Sequence, residues 1–144
     1  TAGENCHAVV ETNRGHFLGR VSWDGTAEAD TGIPEAVLQH QGDRVLRSPA
    51  DGIFTPVMEI GKKVKKGDIL AEVGGIAIQA PFDGVIRGLL HDGIKVREGL
   101  KVGDLDPRND PTYASLVSDK GLAVGGGVLE AILSQPVIRK NLWA

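Results

Sequence analysis

Apolar and polar positions repeat in the middle of the chain with an offset of 32 residues. Ser48–Phe54 and Ala80–Ile86 both contain a small residue, Pro, a variable residue, Asp, Gly and two apolar residues, in that order. The same offset relates five further pairs of glycines or apolar residues, which are Gly61 and Gly93, Val64 and Val96, Gly67 and Gly99, Leu70 and Val102, and Val73 and Leu105. So many matches at one offset indicate an internal duplication.

Each half of the repeat is predicted to fold as strand, turn and strand. Pro and Asp-Gly favour a tight turn, in which Pro fixes φ and Gly is free to take φ > 0. Strands are predicted at Gly52–Ile60 and Ile69–Val73 in the first half, and at Gly84–Leu90 and Lys101–Leu105 in the second. Because two strands are marginal alone, we expect both halves to enclose one core with quasi-twofold symmetry. The predicted core residues are Ile53, Val57, Ile60, Val64, Leu70, Val73, Ile78, Val85, Leu89, Val96, Val102 and Leu105.

The segments that flank the repeat predict a hairpin and a helix. His7–Thr12 and Leu18–Trp23 alternate weakly on either side of a turn, which favours an N-terminal β-hairpin. Ser118 is a suitable N-cap for a helix from about Asp119 to Leu133, which Pro136 prevents from continuing. The apolar face of this helix is predicted to consist of Leu122, Gly126, Leu129 and Leu133.

The two halves resemble biotinyl and lipoyl domains in the motifs Ser48–Gly52, Gly61–Leu70 and Ala80–Val85. The resemblance implies a mainly β fold, a duplicated β-hammerhead or barrel-sandwich hybrid, here with an N-terminal hairpin extension and a C-terminal helix. It divides the chain into an N-terminal hairpin and connecting loop (1–43), the hammerhead (44–107), and a C-terminal helix and tail (108–144).

The link between the halves is where biotinyl and lipoyl domains carry their modified lysine. Here the link is Glu72–Ala77, with Gly74 and Gly75 at its tip, and it contains no lysine. Two consecutive glycines favour a two-residue hairpin turn. We therefore expect no covalently attached cofactor, and a biotin- or lipoyl-type carrier remains only as an alternative.

A second resemblance extends over most of the chain. It is carried by His7–His16 with Leu18–Val21, Val45–Gly52, Gly88–Pro107, Ser118–Lys120 and Gly126–Leu133. These segments are similar to accessory proteins of selenium-dependent molybdenum hydroxylases, a bacterial family. The resemblance implies a role in maturation or cofactor insertion, with an indirect link to the molybdenum cofactor or selenium.

The same resemblance suggests binding partners. They are the hydroxylase, other maturation factors, and the N-terminal half that such proteins usually have, to which nothing in this sequence corresponds. The chain then matches their C-terminal part, and residues 1–43 are expected to be a remnant of the missing half or to contact it. A homo-oligomer remains open.

Charge and composition narrow the range of partners. The chain has 16 Lys and Arg against 19 Asp and Glu, a formal net charge of −3, so nucleic acid is not expected as a partner. The weakly charged stretch Gly121–Leu133 is too short for a membrane span and contains Glu130. A single cysteine, Cys6, excludes an intrachain disulfide and favours the cytoplasm.

Candidate chemistry concentrates near the N-terminus, at His7, Glu11, Arg14 and His16 with Cys6. Cys and His are metal ligands, but adjacent residues of a strand point to opposite faces, so we predict no metal site. Arg14 and His16 together can hold an anion. The alternative is that these residues cap the hairpin and contact the missing half.

Three consecutive glycines, Gly125, Gly126 and Gly127, are costly inside a helix. They indicate either close packing of the helix or an anion-binding loop before a shorter helix from Val128. No nucleophile–base motif occurs, so this chain is not expected to be an enzyme by itself. A small-ligand site between the hairpin and the hammerhead, with enzymatic activity as an option, is the second hypothesis.

Overall fold

The computed structural model describes residues 1–29 and 36–142, and the chain divides into two units. One unit combines Thr1–Gly32 with Val117–Ala144, and the other is Ile33–Leu116. The described strands are β1 (Val9–Val10), β2 (Val21–Ser22), β3 (Val45–Arg47), β4 (Gly52–Pro56), β5 (Lys63–Val64), β6 (Ile69–Val73), β7 (Ile76–Gln79), β8 (Gly84–Leu89), β9 (Lys95–Val96) and β10 (Lys101–Asp106). The helices are α1 (Thr112–Ser115), α2 (Asp119–Leu133) and α3 (Pro136–Leu142), with a 3-10 turn at Gly42–Arg44.

The unit formed by Thr1–Gly32 and Val117–Ala144, called the terminal unit, contains the predicted hairpin and helix. β1 and β2 pair antiparallel, although each has only two residues. The predicted limits of α2 are confirmed, and the Ser118 hydroxyl caps it by accepting a hydrogen bond of 3.0 Å from the Gly121 N–H. Pro136 ends this helix as predicted and begins α3. No single described helix is long and apolar enough to cross a membrane.

The predicted apolar face of α2 is not the buried one. Leu122 and Leu129 are exposed, whereas Gly127 is buried and Ala123 is half-buried. A Cβ on Gly127 would lie 2.2 Å from the Gly19 carbonyl oxygen, so the loop between β1 and β2 lies directly on the helix backbone. Small residues allow this approach, and the large apolar ones are therefore turned outward.

The other unit, Ile33–Leu116, is called the central unit. Its described strands form two four-stranded sheets, in the orders β3-β10-β8-β5 and β7-β6-β4-β9. The chain is therefore mainly β, as predicted, but its described strands do not join into a closed barrel. The predicted duplication is present in the strand pairs. Gly52 pairs with Val96, and Gly84 pairs with Val64. Gly84 is the counterpart of Gly52, and Val64 is the counterpart of Val96, so the two pairs are equivalent under the offset of 32 residues.

The strand pairs at the edges of the two sheets are equivalent under the same offset. Ala71 pairs with Ile78, and Gly103 pairs with Leu46. β3 is thus the counterpart of β7, a relation that the motif comparison alone did not indicate. The two halves differ in one strand pair. The pairing of β8 with β10 has a register shift between Asp104 and Leu105, whereas the equivalent pairing of β4 with β6 has none.

The glycines of the two Asp-Gly motifs do not have the positive φ that was predicted for them. Neither Gly52 nor Gly84 has a positive φ, and a Cβ on Gly84 would lie 2.5 Å from the Asp106 carbonyl oxygen. The glycine is therefore required for close approach of two strands. The aspartates join the halves, since Asp51 Oδ1 accepts from the Glu98 N–H at 2.8 Å and Asp83 Oδ1 accepts from the Lys66 N–H at 2.9 Å.

One apolar core lies between the sheets, as expected. Of the predicted core residues, Val64, Leu70, Val73, Ile78, Val96, Val102 and Leu105 belong to this core, and Leu89 is partly buried against them. Val85 is buried too, but outside this cluster. The prediction is wrong for Ile53, Val57 and Ile60, which are 50%, 54% and 52% exposed. Strand residues alternate between faces, and Phe54, not Ile53, points inward from β4. Ile86 occupies the equivalent buried position in the second half.

The outer faces of the two sheets differ despite the repeat. Ile53 and Val85 are counterparts, but Val85 is only 1% exposed. α1 packs against β8 after β10 has ended, and the chain between Asp106 and Leu116 has no equivalent after β6. Ile53 therefore remains at the surface.

Candidate functional site

Glu11 is held by backbone N–H groups of its own turn and of Glu28. Its Oε1 accepts the N–H groups of Thr12 and Asn13, both at 2.7 Å, and its Oε2 accepts the Glu28 N–H at 2.8 Å. The bond from Glu28, followed by that from Asn13, holds the pKa of Glu11 below its usual value. This carboxylate organises the backbone, consistent with the predicted capping alternative.

Arg14 binds the first turn of α2. Its guanidinium group contacts both carboxylate oxygens of Asp119, with Nη2 2.7 Å from Oδ1. The hydrogen bond from Arg14, and then the one from the Lys120 N–H, lowers the pKa of Asp119 far below its usual range. The charge of Arg14 is thus matched inside the terminal unit.

The remaining predicted residues do not form a cluster with Glu11 and Arg14. Cys6 is an exposed free thiol and His7 is exposed. His16 contacts the Phe17 ring edge to face, with 5.6 Å between the ring centroids. Within residues 1–29 and 36–142, no three His, Cys, Asp or Glu side chains come together as metal ligands.

An open cavity of about 530 Å³ lies beside this hairpin and is lined by His16, Leu18, Gly19, Arg20, Val21 and Glu130. His16 is the only one of the predicted ligand residues in its lining. The cation in the cavity is Arg20, whose guanidinium carbon lies 5.0 Å from the centroid of the Phe17 ring. Binding of an anion by Arg14 and His16 stays a prediction.

The glycine triplet lies inside α2. Because the helix begins at Asp119, Gly125, Gly126 and Gly127 do not form a loop before a shorter helix from Val128. Interior N–H groups of a helix are used by the helix itself, which removes the basis for the predicted anion site. Of the three glycines only Gly127 is closely packed, and it lies against the Gly19 loop.

The hairpin between the halves has the predicted tip. Gly74 and Gly75 have φ of 57° and 83°, and Val73 pairs with Ile76 on either side of them. Two consecutive positive φ angles are typical of the tight turn that suits twisted strands. The tip is therefore built without a side chain that could carry a prosthetic group.

The sequence did not indicate a polar cluster at the end of β10. Asp106, 1% exposed, accepts from Arg108 Nε at 2.9 Å and from Nη2 at 2.5 Å. The guanidinium carbon of Arg108 also lies 3.8 Å from the Tyr113 ring centroid. The consecutive residues Asp106, Pro107 and Arg108 are the local signal from which this cluster could have been predicted. The cluster fixes the segment that covers β8.

The chain has an extended match among curated proteins. No family model matches the chain. It is similar to "Uncharacterized protein YqeB" of Escherichia coli (strain K12), with 50% identity over 133 residues. The match covers 92% of this chain and 25% of that protein, so the chain spans about a quarter of the length of the curated relative it matches.

Among solved structures, the crystal structure of an aspartoacylase family protein from Mesorhizobium loti matches part of the chain. The match covers 44% of this chain and 22% of that protein, with 24% identity and a TM-score of 0.41. A likeness this small supports no argument about fold or function.

Replacing Asp106 by asparagine is expected to lower the free energy of unfolding by about 1–3 kcal/mol at pH 7, because it weakens hydrogen bonds of a buried charged group. Burial raises the pKa of Asp106, but the hydrogen bonds from Arg108 outweigh burial and lower it overall. A lowered folded-state pKa stabilises the fold above the unfolded value of about 3.9, and this stabilisation is lost as the pH falls through the folded-state pKa. Urea denaturation at pH 7 and pH 3 should therefore show a smaller difference between variant and wild type at pH 3. An equal difference at both pH values would contradict this role.

Proposed function

We propose that this chain is a non-catalytic interaction module of a protein that assists maturation or cofactor insertion of a selenium-dependent molybdenum hydroxylase. The motif resemblance supports the process. The observation that carries the binding role is the exposure of Ile53, Val57 and Ile60 within one strand and the turn after it. Exposed apolar side chains in a rigid unit are typical of protein–protein contact sites when they cluster.

We further propose that the central unit is a biotinyl/lipoyl-like hammerhead without carrier function. Its support is the strand exchange at an offset of 32 residues together with the bare tip at Gly74–Gly75. A carrier attaches its cofactor to an amine at this tip, and none is present in Glu72–Ala77. If the carrier alternative held instead, co-expression with biotin and lipoyl ligases would increase the intact mass of the chain.

Binding is favoured over catalysis by the state of the predicted site residues. Glu11 accepts three backbone N–H groups, and Arg14 is paired with Asp119. Neither is left to activate a nucleophile or to stabilise a developing charge, which are the tasks of catalytic carboxylates and arginines. The proposed role therefore requires a partner protein and no reaction at these residues.

The proposal is tested by retention of the hydroxylase on the immobilised chain. We expect the cofactor-free hydroxylase encoded in the same genome to be retained. The variants Val57→Ser and Ile60→Ser should each reduce retention by about fivefold or more, since exposed apolar contacts are removed. Val137→Ser in α3, also at a well-exposed position, is the matched control and should leave retention unchanged.

Two results would contradict the proposal. If the cofactor-free hydroxylase is not retained at any salt concentration, the maturation role fails. If Val137→Ser reduces retention as much as Val57→Ser does, the contact does not lie on the central unit. Circular dichroism of each variant checks that the fold is unchanged.

A further inference from the structure

The repeat places two carboxylates at equivalent positions beside two edge strands. Asp104 on β10 stands opposite Val45 of β3, and Glu72 on β6 stands opposite Ala77 of β7. Each of these numbers differs from its counterpart by 32. The two sites can therefore be compared directly, one serving as the reference for the other.

Asp104 has an internal cation, whereas among the described residues Glu72 has none. Arg44 Nη2 lies 3.5 Å from Asp104 Oδ2, and the Arg44 side chain is 8% exposed. The position that corresponds to Arg44 in the other half is Ile76, which is 48% exposed. Within the described part of the chain, no Lys, Arg or His pairs with Glu72.

β7 also has a free edge. It is the outermost strand of its sheet and pairs with β6 on one side. Among the described residues, no strand pairs with its other side, which can therefore accept a further strand. Exposed edges are usually protected by Lys or Pro. β7 has neither, and Gly74–Phe82 contains no charged residue. This edge can therefore accept another strand without meeting a like or opposing charge on β7 itself.

We propose that β7 is a docking edge for an extended segment of another protein that carries an Arg or Lys facing Glu72. The segment adds to the sheet beyond β7 through main-chain hydrogen bonds. Ala77 lies between Glu72 and the added strand, and strands are about 4.8 Å apart, so a long cation crosses over the small methyl group to reach the carboxylate. The added cation pairs with Glu72 as Arg44 pairs with Asp104 in the other half. Charge complementarity thus selects a basic segment over a second copy of this edge, which offers no cation.

The proposal is tested with fluorescein-labelled peptides of alternating Thr and Val. One peptide carries a central Arg, a second has Gln in its place, and a third has the Arg with N-methylated backbone positions along one edge. Fluorescence anisotropy should show saturable binding of the Arg peptide, about fivefold weaker binding of the Gln peptide, and loss of binding with the methylated one. Glu72→Gln should weaken only the Arg peptide, to the level of the Gln peptide.

Glu98→Gln is the matched control, since it removes an exposed carboxylate from another turn of the same unit. It should leave all three affinities unchanged. The proposal is overturned if the Arg and Gln peptides bind equally, if Glu98→Gln acts like Glu72→Gln, or if no peptide binds at about 1 mM. Sedimentation equilibrium adds a further check, because a dimer that Ala77→Lys dissociates would identify a second copy as the occupant. Glu72 is exposed, so its variant is expected to fold, which circular dichroism verifies.

Discussion

Replacing Phe54 by alanine is expected to lower the free energy of unfolding of the central unit by about 3–5 kcal/mol. The side chain is fully buried between the sheets, and its removal loses apolar burial and leaves a cavity. Ile86→Ala, the equivalent change in the second half, should cost about 2–5 kcal/mol for the same reason. Urea denaturation followed by circular dichroism measures both.

The control for this prediction is the neighbouring residue on the same strand. Ile53 points outward, so Ile53→Ala should change the free energy of unfolding by no more than about 0.5–1 kcal/mol. If Ile53→Ala were as costly as Phe54→Ala, the orientation of β4 described above would be incorrect. The pair therefore tests which face of the strand is in the core.

Replacing Gly127 by alanine is expected to destabilise the terminal unit by about 2–3 kcal/mol, although alanine favours helices. The added Cβ would lie 2.2 Å from the Gly19 carbonyl oxygen and 2.8 Å from Val10 Cγ1, so the β1–β2 loop must shift. Gly126→Ala is the matched control, because nothing lies within 4 Å of the added atom. It should instead stabilise the helix by about 1 kcal/mol.

Thermal unfolding followed at 222 nm distinguishes these two variants by the sign of the change in Tm. Gly127→Ala should lower the Tm and Gly126→Ala should raise it. Two changes of the same sign would show that the loop does not lie on α2 as described. The outcome bears on the candidate cavity as well, since Gly19 is part of its lining.

The duplication could be predicted from the sequence, but the orientation of its strands could not. Matching motifs specify which segments correspond, and the strand pairs follow the same offset. Ile53 and Phe54 are consecutive apolar residues, so a period of two does not select between them. Burial of Phe54 depends on the opposite sheet, which local sequence does not describe.

The face of α2 was misassigned for a related reason. Counting large apolar residues selects Leu122 and Leu129, whereas the packing uses Gly127 and Ala123. A close approach of the loop to the helix backbone requires small side chains, and a count of hydrophobic residues does not identify such positions. The limits of the helix depend on a local cap, and these were predictable.

The partners of the predicted ligand residues near the N-terminus could not be predicted, because some of them are distant in sequence. Arg14 pairs with Asp119, 105 residues away, and no local pattern relates them. The Asp106–Arg108 cluster is local and was detectable in principle. That Glu72 pairs with no Lys, Arg or His among the described residues is informative only in comparison with Asp104, which requires that both halves be known.

The exchange of β5 and β9 between the halves has a consequence for the origin of the fold. Each half contributes a short strand to the other's sheet, and Asp51 and Asp83 each fasten the opposite turn. This is the arrangement that two identical subunits form in an intertwined homodimer with a twofold axis. A linker of only Gly74 and Gly75 would join such subunits into one polypeptide, after which the copies diverge, one having Arg44 where the other has Ile76.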